Sequence, residues 1–411
     1  TIQEAVDAAD SGNTVFVDNG TYLEHVIVKK SLTLVGEDKN TTIIDGFGAP
    51  HVIEISTPNV SISGFTIRGS HRGPPAYRYE YAGIYLQGTS ANITITGNIV
   101  TANANGIQLD STCNNTITDN IIEDNGYWAQ NGGIFVTNSS FNNIDNNHII
   151  GNRSSGIYVR TGSKNNDIKN NIVENSDYYG IYLVSSGYNN VSRNTVMSNQ
   201  VGILLGAAPS NILRNNAMSN NTYNFGVMGL IDQDIDTSNA VDGKPIYYLI
   251  NQSNLIIQPP TEIGYLAIIQ GNNITVGGLA LIRNMQGLLL YNVSESRIEN
   301  VSVSNNYYGI TTMESNNNTI EGCTITNNKF ISLKGHNNTI DGNTISNHGE
   351  VYPRFTGSGW ETEWSYGVIE ISGDNNTIFH NNFINNPGSA SISGDNNKWD
   401  NGYPSGGNYW S

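Results

Sequence analysis

Six runs of one pattern recur between residues 83 and 205: Gly83-Ile84-Tyr85-Leu86, Gly106-Ile107-Gln108-Leu109, Gly133-Ile134-Phe135-Val136, Gly156-Ile157-Tyr158-Val159, Gly180-Ile181-Tyr182-Leu183 and Gly202-Ile203-Leu204-Leu205. Successive copies begin 23, 27, 23, 24 and 22 residues apart. A polar turn, an Asn-x-Ile run and another Asn follow each one. A fixed period of about 20–50 residues marks one supersecondary unit stacked on itself. Each unit then contacts only its neighbours, so the core grows in one dimension.

Side chains alternate along a strand. Within Gly106–Asn125 the pattern predicts Ile107, Leu109, Ile117 and Ile121 inward, Gln108 outward, and Asn120 and Asn125 at corners. Three short strands per repeat, with right-handed crossovers, predict an all-β fold: a right-handed, single-stranded parallel β-helix of three parallel sheets. Corner Asn side chains can bridge backbone from coil to coil. Asn98, Asn120, Asn147, Asn171, Asn194 and Asn215 are the predicted ladder.

Thr1-Ile2-Gln3-Glu4 reads as a capping box, with Ile2, Ala5, Val6 and Ala9 at helical spacing. The whole of 1–411 is read as one β-helix domain. Residues 1–13 form a capping α-helix and turn, 14–229 regular coils, and 230–270 irregular coils with an inserted turn. Regular coils resume over 271–398 with a loop at 347–366, and 399–411 starts a C-terminal cap. Early strands are expected at 14–17, 25–28, 31–35 and 42–44, with Gly20-Thr21-Tyr22 as a turn.

Hydrophobic residues make up 37% and charged residues 13%. The missing polarity is Asn, Ser, Thr and Gly, the residues of turns. Net charge is −16, which argues against nucleic acid and against adsorption to an anionic membrane. Cys113 and Cys323 lie about nine repeats apart, roughly 40 Å at ~4.8 Å per coil, too far for a disulfide. No apolar run is long enough for a membrane-spanning helix. The chain opens at Thr1 without Met, as a mature or trimmed fragment would.

The Asn-Asn-x-Ile-x-x-Asn coil resembles a known family. So do Asp242-Gly243-Lys244-Pro245-Ile246-Tyr247-Tyr248 and the closing Lys398-Trp399-Asp400-Asn401-Gly402-Tyr403 with Gly407-Asn408-Tyr409-Trp410-Ser411. It is the NosD-like β-helix proteins, within the wider carbohydrate-binding-and-sugar-hydrolase repeat group. The resemblance implies an archaeal surface or secreted protein, and by name periplasmic copper handling. Copper sites cluster His, Met or Cys. His25, His51, His71, His148, His336, His348 and His380 are scattered, so copper is disfavoured. No metal site and no cofactor are expected; calcium at the Asp and Asn turns is an alternative with no motif behind it.

The outward slot of Gly-Ile-x-Leu holds Tyr85, Gln108, Phe135, Tyr158, Tyr182 and Leu204, an aromatic stripe of about 25 Å. Insertions just before this sheet carry Tyr81, Trp128 and Tyr179; a later one carries Trp360 and Trp364. Aromatics stack on sugar faces, so these residues are the candidate glycan-binding set. Asp110 and Arg160 follow the stripe two coils apart and are the weak catalytic candidates. The competing reading is that aromatics simply favour strands and pack under the loops. Asn-x-Ser/Thr acceptor motifs stand at Asn40, Asn59, Asn92, Asn114, Asn138, Asn152, Asn190, Asn220, Asn251, Asn273, Asn292, Asn300, Asn317, Asn337 and Asn375. Turn geometry alone would also demand many of them.

The reading that follows is an extracellular or cell-surface scaffold that binds a glycan or envelope polymer. One alternative is a polysaccharide lyase, epimerase or depolymerase working on an acidic matrix polysaccharide. Another is a self-assembling surface-layer or filament component whose partners are copies of itself. Two or three acids converging in a groove would favour the enzyme.

Overall fold

The computed structural model describes residues 1–72, 81–126, 132–348, 353–356, 359–362, 369–386 and 390–411. The chain divides into two compact units, Thr1–Thr222 with Val227–Ile235, and Tyr223–Gly226 with Asp236–Ser411. Each is a right-handed parallel β-solenoid with three parallel sheets.

The first unit opens with the helix Ile2–Ala8. Thr1 Oγ1 accepts from the Glu4 amide at 3.1 Å, and Glu4 reaches back to the Thr1 ammonium at 3.1 Å. Two otherwise orphaned amides, of Ile2 and Gln3, donate to the Glu24 carboxylate at 3.0 Å each. Ile2 and Val6 are buried. Such a cap covers core that the first coil would otherwise expose.

Three strands then recur per coil. The first sheet runs from Thr14–Val17 through Thr33–Gly36 and Thr116–Thr118 to Asp234–Ile235. The second runs from Gly20–Leu23 through Ile121–Glu123 to Ala217–Ser219. The third, carrying Gly-Ile-x-Leu, runs from Val26–Val28 through His51–Ile55, Ala82–Gln87, Asn105–Asp110, Gly132–Thr137, Ser155–Arg160 and Tyr179–Val184 to Val201–Gly206. Pairing is in register, as in Ile84↔Ile107↔Ile134 and Ile157↔Ile181↔Ile203. Like side chains therefore stack on like, and the inward Ile, Leu and Val are fully buried.

The Gly of the motif has a steric cause. A Cβ on Gly106 would stand 2.4 Å from the Gly133 carbonyl oxygen. On Gly180 it would meet Val196 Cγ1 at 2.3 Å and the Gly202 oxygen at 2.8 Å. Adjacent coils approach too closely there for any side chain.

Buried corner ladders join the coils. In one, the amides of Asn98, Asn120, Asn147, Asn171 and Asn194 each donate to Oδ1 of the next Asn, at 3.0–3.2 Å. Its next member is Asn216, not Asn215. Asn215 is the preceding residue, held at φ 55°. A second ladder links Asn103, Asn125 and Asn152, and a third links Asn115, Asn142, Asn166, Asn189, Asn211 and Gln233. The Asn-Asn-Thr signature follows directly: Asn114 turns at φ 57°, Asn115 enters the ladder, and Thr116 starts a strand.

The second unit repeats the plan. One sheet holds Lys244–Ile250, Tyr265–Ile269, Gln286–Tyr291, Tyr308–Met313, Phe330–Lys334, Ile369–Ser372 and Ala390–Ser393. Two six-stranded sheets complete the coil. Cys323 and His348 occupy slots that Asn fills elsewhere in its ladders. Burial pushes the Cys323 thiol up to about 11.

Three local expectations are corrected. Gly20-Thr21-Tyr22 belongs to a strand, Gly20–Leu23, because Thr42–Asp45 offers it a parallel partner. Ile122, not Ile121, points inward in Ile121–Glu123; where two Ile are adjacent, a period of two allows either frame. Asn152 is a buried ladder member whose Nδ2 donates to the Ile122 carbonyl, so its acceptor motif is inaccessible. Asn59, Asn92, Asn114, Asn138, Asn220, Asn251, Asn273, Asn292, Asn300, Asn317, Asn337 and Asn375 are exposed with φ between 46° and 60°. Asn tolerates that left-handed turn better than other non-glycine residues, so backbone geometry by itself favours Asn at those twelve exposed positions.

Candidate functional site

The third sheet of the first unit brings the outward slots into one column. The register is Glu54↔Tyr85↔Gln108↔Phe135↔Tyr158↔Tyr182↔Leu204. The column is outward-facing but not open. Tyr85 and Tyr158 are each 9% exposed, Phe135 2% and Gln108 1%. The rings take one another's faces. Tyr158 stacks on Tyr182 at 5.2 Å with planes 2° apart, and Tyr179 on Tyr182 at 4.4 Å. Phe135 tilts against Tyr158 at 5.5 Å, with the Arg160 guanidinium 6.0 Å above it. Burial among these rings holds the Tyr182 hydroxyl protonated far above its ordinary range. A ring whose face is already covered gives a sugar little to stack on.

At the N-terminal end of the column the chemistry changes. The His51 imidazole stacks on Tyr85, 4.2 Å between centroids and 8° between planes. Tyr81 meets His51 edge-on at 6.4 Å and His71 at 5.5 Å. The Tyr85 hydroxyl donates to Asp110 Oδ2 at 3.2 Å, and Ser111 Oγ donates to Asp110 Oδ1 at 2.9 Å. One coil back, Gln87 Nε2 donates to Glu54 Oε1 at 2.6 Å, and His25 Nε2 stands 3.8 Å from Glu54 Oε2. His51 Nδ1 and His25 Nε2 are buried without a hydrogen-bond partner. Burial, helped by His25, pushes the His51 imidazole down to about 4, so it is neutral at pH 7.

A neutral imidazole, a phenol and the Asp110 carboxylate thus meet in a line, and Glu54, held by Gln87, stands in register with Tyr85 one coil back. Such a group can orient hydroxyls of a bound polymer, or pass a proton. The sequence candidates divide accordingly. Tyr81, Tyr85 and Asp110 come together here. Arg160 lies two coils on, its Nε donating to Thr161 Oγ1 at 3.1 Å. Asp110 is engaged with Tyr85 instead. Phe135, Tyr158, Tyr179 and Tyr182 form the stacked column. Trp128 and Trp364 lie outside the described residues, and Trp360 is described only as backbone in the strand Gly359–Thr362. His25, His51 and Glu54 escaped sequence reasoning. Glu54 holds the same slot one coil before the first Gly-Ile-x-Leu copy, where His51-Val52-Ile53-Glu54-Ile55 lacks the motif Gly that flags it.

Among the described residues no group of three or more His, Cys, Asp or Glu is placed to hold a metal ion. Four histidines sit instead beside single carboxylates: His25 by Glu54, His148 by Glu174, His336 by Asp374 and His380 by Asp341. His348 is a ladder member, with Nδ1 accepting from the Asn328 amide at 3.1 Å.

The tailspike protein of Dettilon matches 96% of this chain at 14% identity and a TM-score of 0.39; the chain spans 63% of the tailspike's length. An alginate lyase from Paenibacillus matches 77% of this chain and 94% of its own, at 14% identity and TM-score 0.36. A DFA-IIIase from Arthrobacter chlorophenolicus matches 94% and 88%, at 14% identity and TM-score 0.42. None of the curated proteins matches. The family model described as periplasmic copper-binding protein (NosD) matches residues 6–162, 78–244 and 232–411. Those spans take in nearly every coil, and the chain belongs to the NosD family.

Proposed function

We propose that this chain is an extracytoplasmic β-helix protein that binds a polysaccharide or envelope polymer at the outer face of the third sheet of its first unit. One observation carries the reading: the line of contact from the neutral His51 through Tyr85 to Asp110, with Glu54 in register one coil back. Polymer hydroxyls need acceptors and donors held rigidly in a row, and the solenoid supplies them at coil spacing. The periplasmic setting in the family's description agrees with an extracytoplasmic location. Among the described residues no group of three or more His, Cys, Asp or Glu is placed to hold the copper in that description.

The test is a polysaccharide array read with the parent and with Glu54→Gln plus Asp110→Asn. Binding by the parent that falls at least tenfold in the double variant is the expected result. Parent signal no higher than a blank surface sinks the reading.

A second reading is favoured by a specific contact. The Tyr85 phenol, hydrogen-bonded to Asp110 under a neutral imidazole, is suited to acid–base work on an acidic polysaccharide. Incubation with polygalacturonate or alginate, followed for chain cleavage or an unsaturated product, separates the two. Turnover lost in Tyr85→Phe with binding retained would make the protein an enzyme.

A further inference from the structure

Along the third ladder of the first unit a left-handed residue precedes each ladder Asn, and another precedes Ile93, whose amide donates to Asn115 Oδ1. This slot holds Asn92 at φ 55°, Asn114 at 57°, Phe141 at 60°, Asn165 at 54°, Tyr188 at 59° and Ser210 at 56°. Asn or Ser suits it, and a bulky aromatic at positive φ is an outlier. Two of the six positions nonetheless carry aromatics, and these rings project into solvent: Phe141 is 59% exposed and Tyr188 56%. They stand two coils apart, roughly 10 Å along the solenoid at ~4.8 Å per coil. The coil between them supplies Lys164, whose amide donates to Ser140 Oγ and whose carbonyl accepts from the Phe141 amide at 3.1 Å. The Lys164 ammonium lies 5.9 Å from the Tyr188 ring centre.

We infer that Phe141, Lys164 and Tyr188 form a docking ridge for an extended anionic polysaccharide. The inference rests on the polysaccharide reading above and adds a second place of contact, at a corner of the coil rather than on a sheet face. Three observations choose this occupant. Unlike the rings of the Tyr85–Tyr182 column, these two are more than half exposed, with Lys164 over one face of Tyr188 only, which leaves the surface that sugar stacking requires. Their spacing by whole coils suits a ligand that itself repeats along a line. The charge is also local and opposite to the molecule's own. The chain carries 35 acidic and 19 basic residues, yet the coil between the rings presents the exposed Lys164. A neutral glycan would have no use for the lysine, and a nucleic acid would need a much broader basic surface.

The experiment is affinity electrophoresis through gels containing polygalacturonate, with hydroxyethylcellulose as the neutral control. It uses the full chain, Phe141→Asn/Tyr188→Asn, Lys164→Gln, and Glu54→Gln/Asp110→Asn. Asn is the residue the slot prefers, so the first variant should melt no lower than the parent. The expected result is that it loses at least tenfold in affinity for polygalacturonate, while Lys164→Gln weakens that binding and leaves any binding to the neutral polymer unchanged. A parent bound by polygalacturonate whose aromatic double variant binds equally well overturns the ridge and leaves the sheet-face reading standing. A parent that binds neither polymer overturns both. Loss of self-association in the aromatic variant, seen by sedimentation with polymer binding unaltered, would make the ridge a contact between copies and equally overturn the proposal.

Discussion

Single residues in this chain carry two kinds of burden. His51 illustrates the chemical kind: stacked on Tyr85 and buried, it is held near 4 against an ordinary 6.5. A base whose folded value is depressed binds fewer protons folded than unfolded between those two values. The stability it permits is complete above pH 6.5 and is lost as pH falls from 6.5 towards 4, by up to about 3 kcal/mol before any discount for solvent. Urea unfolding of the first unit at pH 7, 5.5 and 4 should therefore show a steeper acid loss in the parent than in His51→Phe, which keeps the stack. Equal slopes would mean that His51 is not the titrating group. Phe141 and Tyr188 illustrate the other kind, a backbone cost accepted at the surface. Asn at both positions would relieve that cost.

Elements here are too short to stand alone. A three-residue strand such as Asp167–Lys169 exists because strands above and below pair with it in register. Between coils the corner amides do what a longer strand would do elsewhere. Asn166 is fully buried; its Oδ1 accepts from both the amide and the side chain of Asn142, and its Nδ2 donates to Asn189 Oδ1 and the Ser139 carbonyl. Removing it strands several buried polar groups at once. Asn166→Ala is expected to cost roughly 2–4 kcal/mol in the first unit, measured as a lower urea midpoint at unchanged slope. A loss under about 0.5 kcal/mol would show that water replaces the ladder. The same argument explains why Cys323 and His348 can sit in ladder positions of the second unit: the Cys323 thiol donates to the Glu321 and Ile298 carbonyls, and His348 Nδ1 accepts from the Asn328 amide.

At the scale of the whole molecule the sum of charges matters more than any pair. Net charge is −16, with a pI near 4.7, and such an excess destabilises a compact chain by self-repulsion. The melting temperature at pH 7 should therefore rise when sodium chloride is raised from about 0.01 M to about 0.15 M, as the Debye length shortens from about 30 Å to about 8 Å. A fall on adding salt would mean that ion pairs such as Arg68–Asp45 and Arg214–Asp234 outweigh the excess. The sequence by itself determined the coil, its Gly, its inward Ile and Leu, and most of its Asn ladders. Those features repeat, because each answers a close approach that recurs every coil, and a repeated constraint is visible in one dimension. It misplaced Ile121 and Asn215, where two equivalent residues are adjacent and only pairing selects between them. What the tertiary structure decided is the condition of the outward side chains. Gln108, Phe135 and Tyr158 face away from the core and are nevertheless buried, Phe135 against Tyr158 and Tyr158 against Tyr182 of the coils beside them. His51, Tyr85 and Asp110 meet although up to 59 residues separate them. Period and alternation specify which way a side chain points; only the stacked coils specify what it then meets.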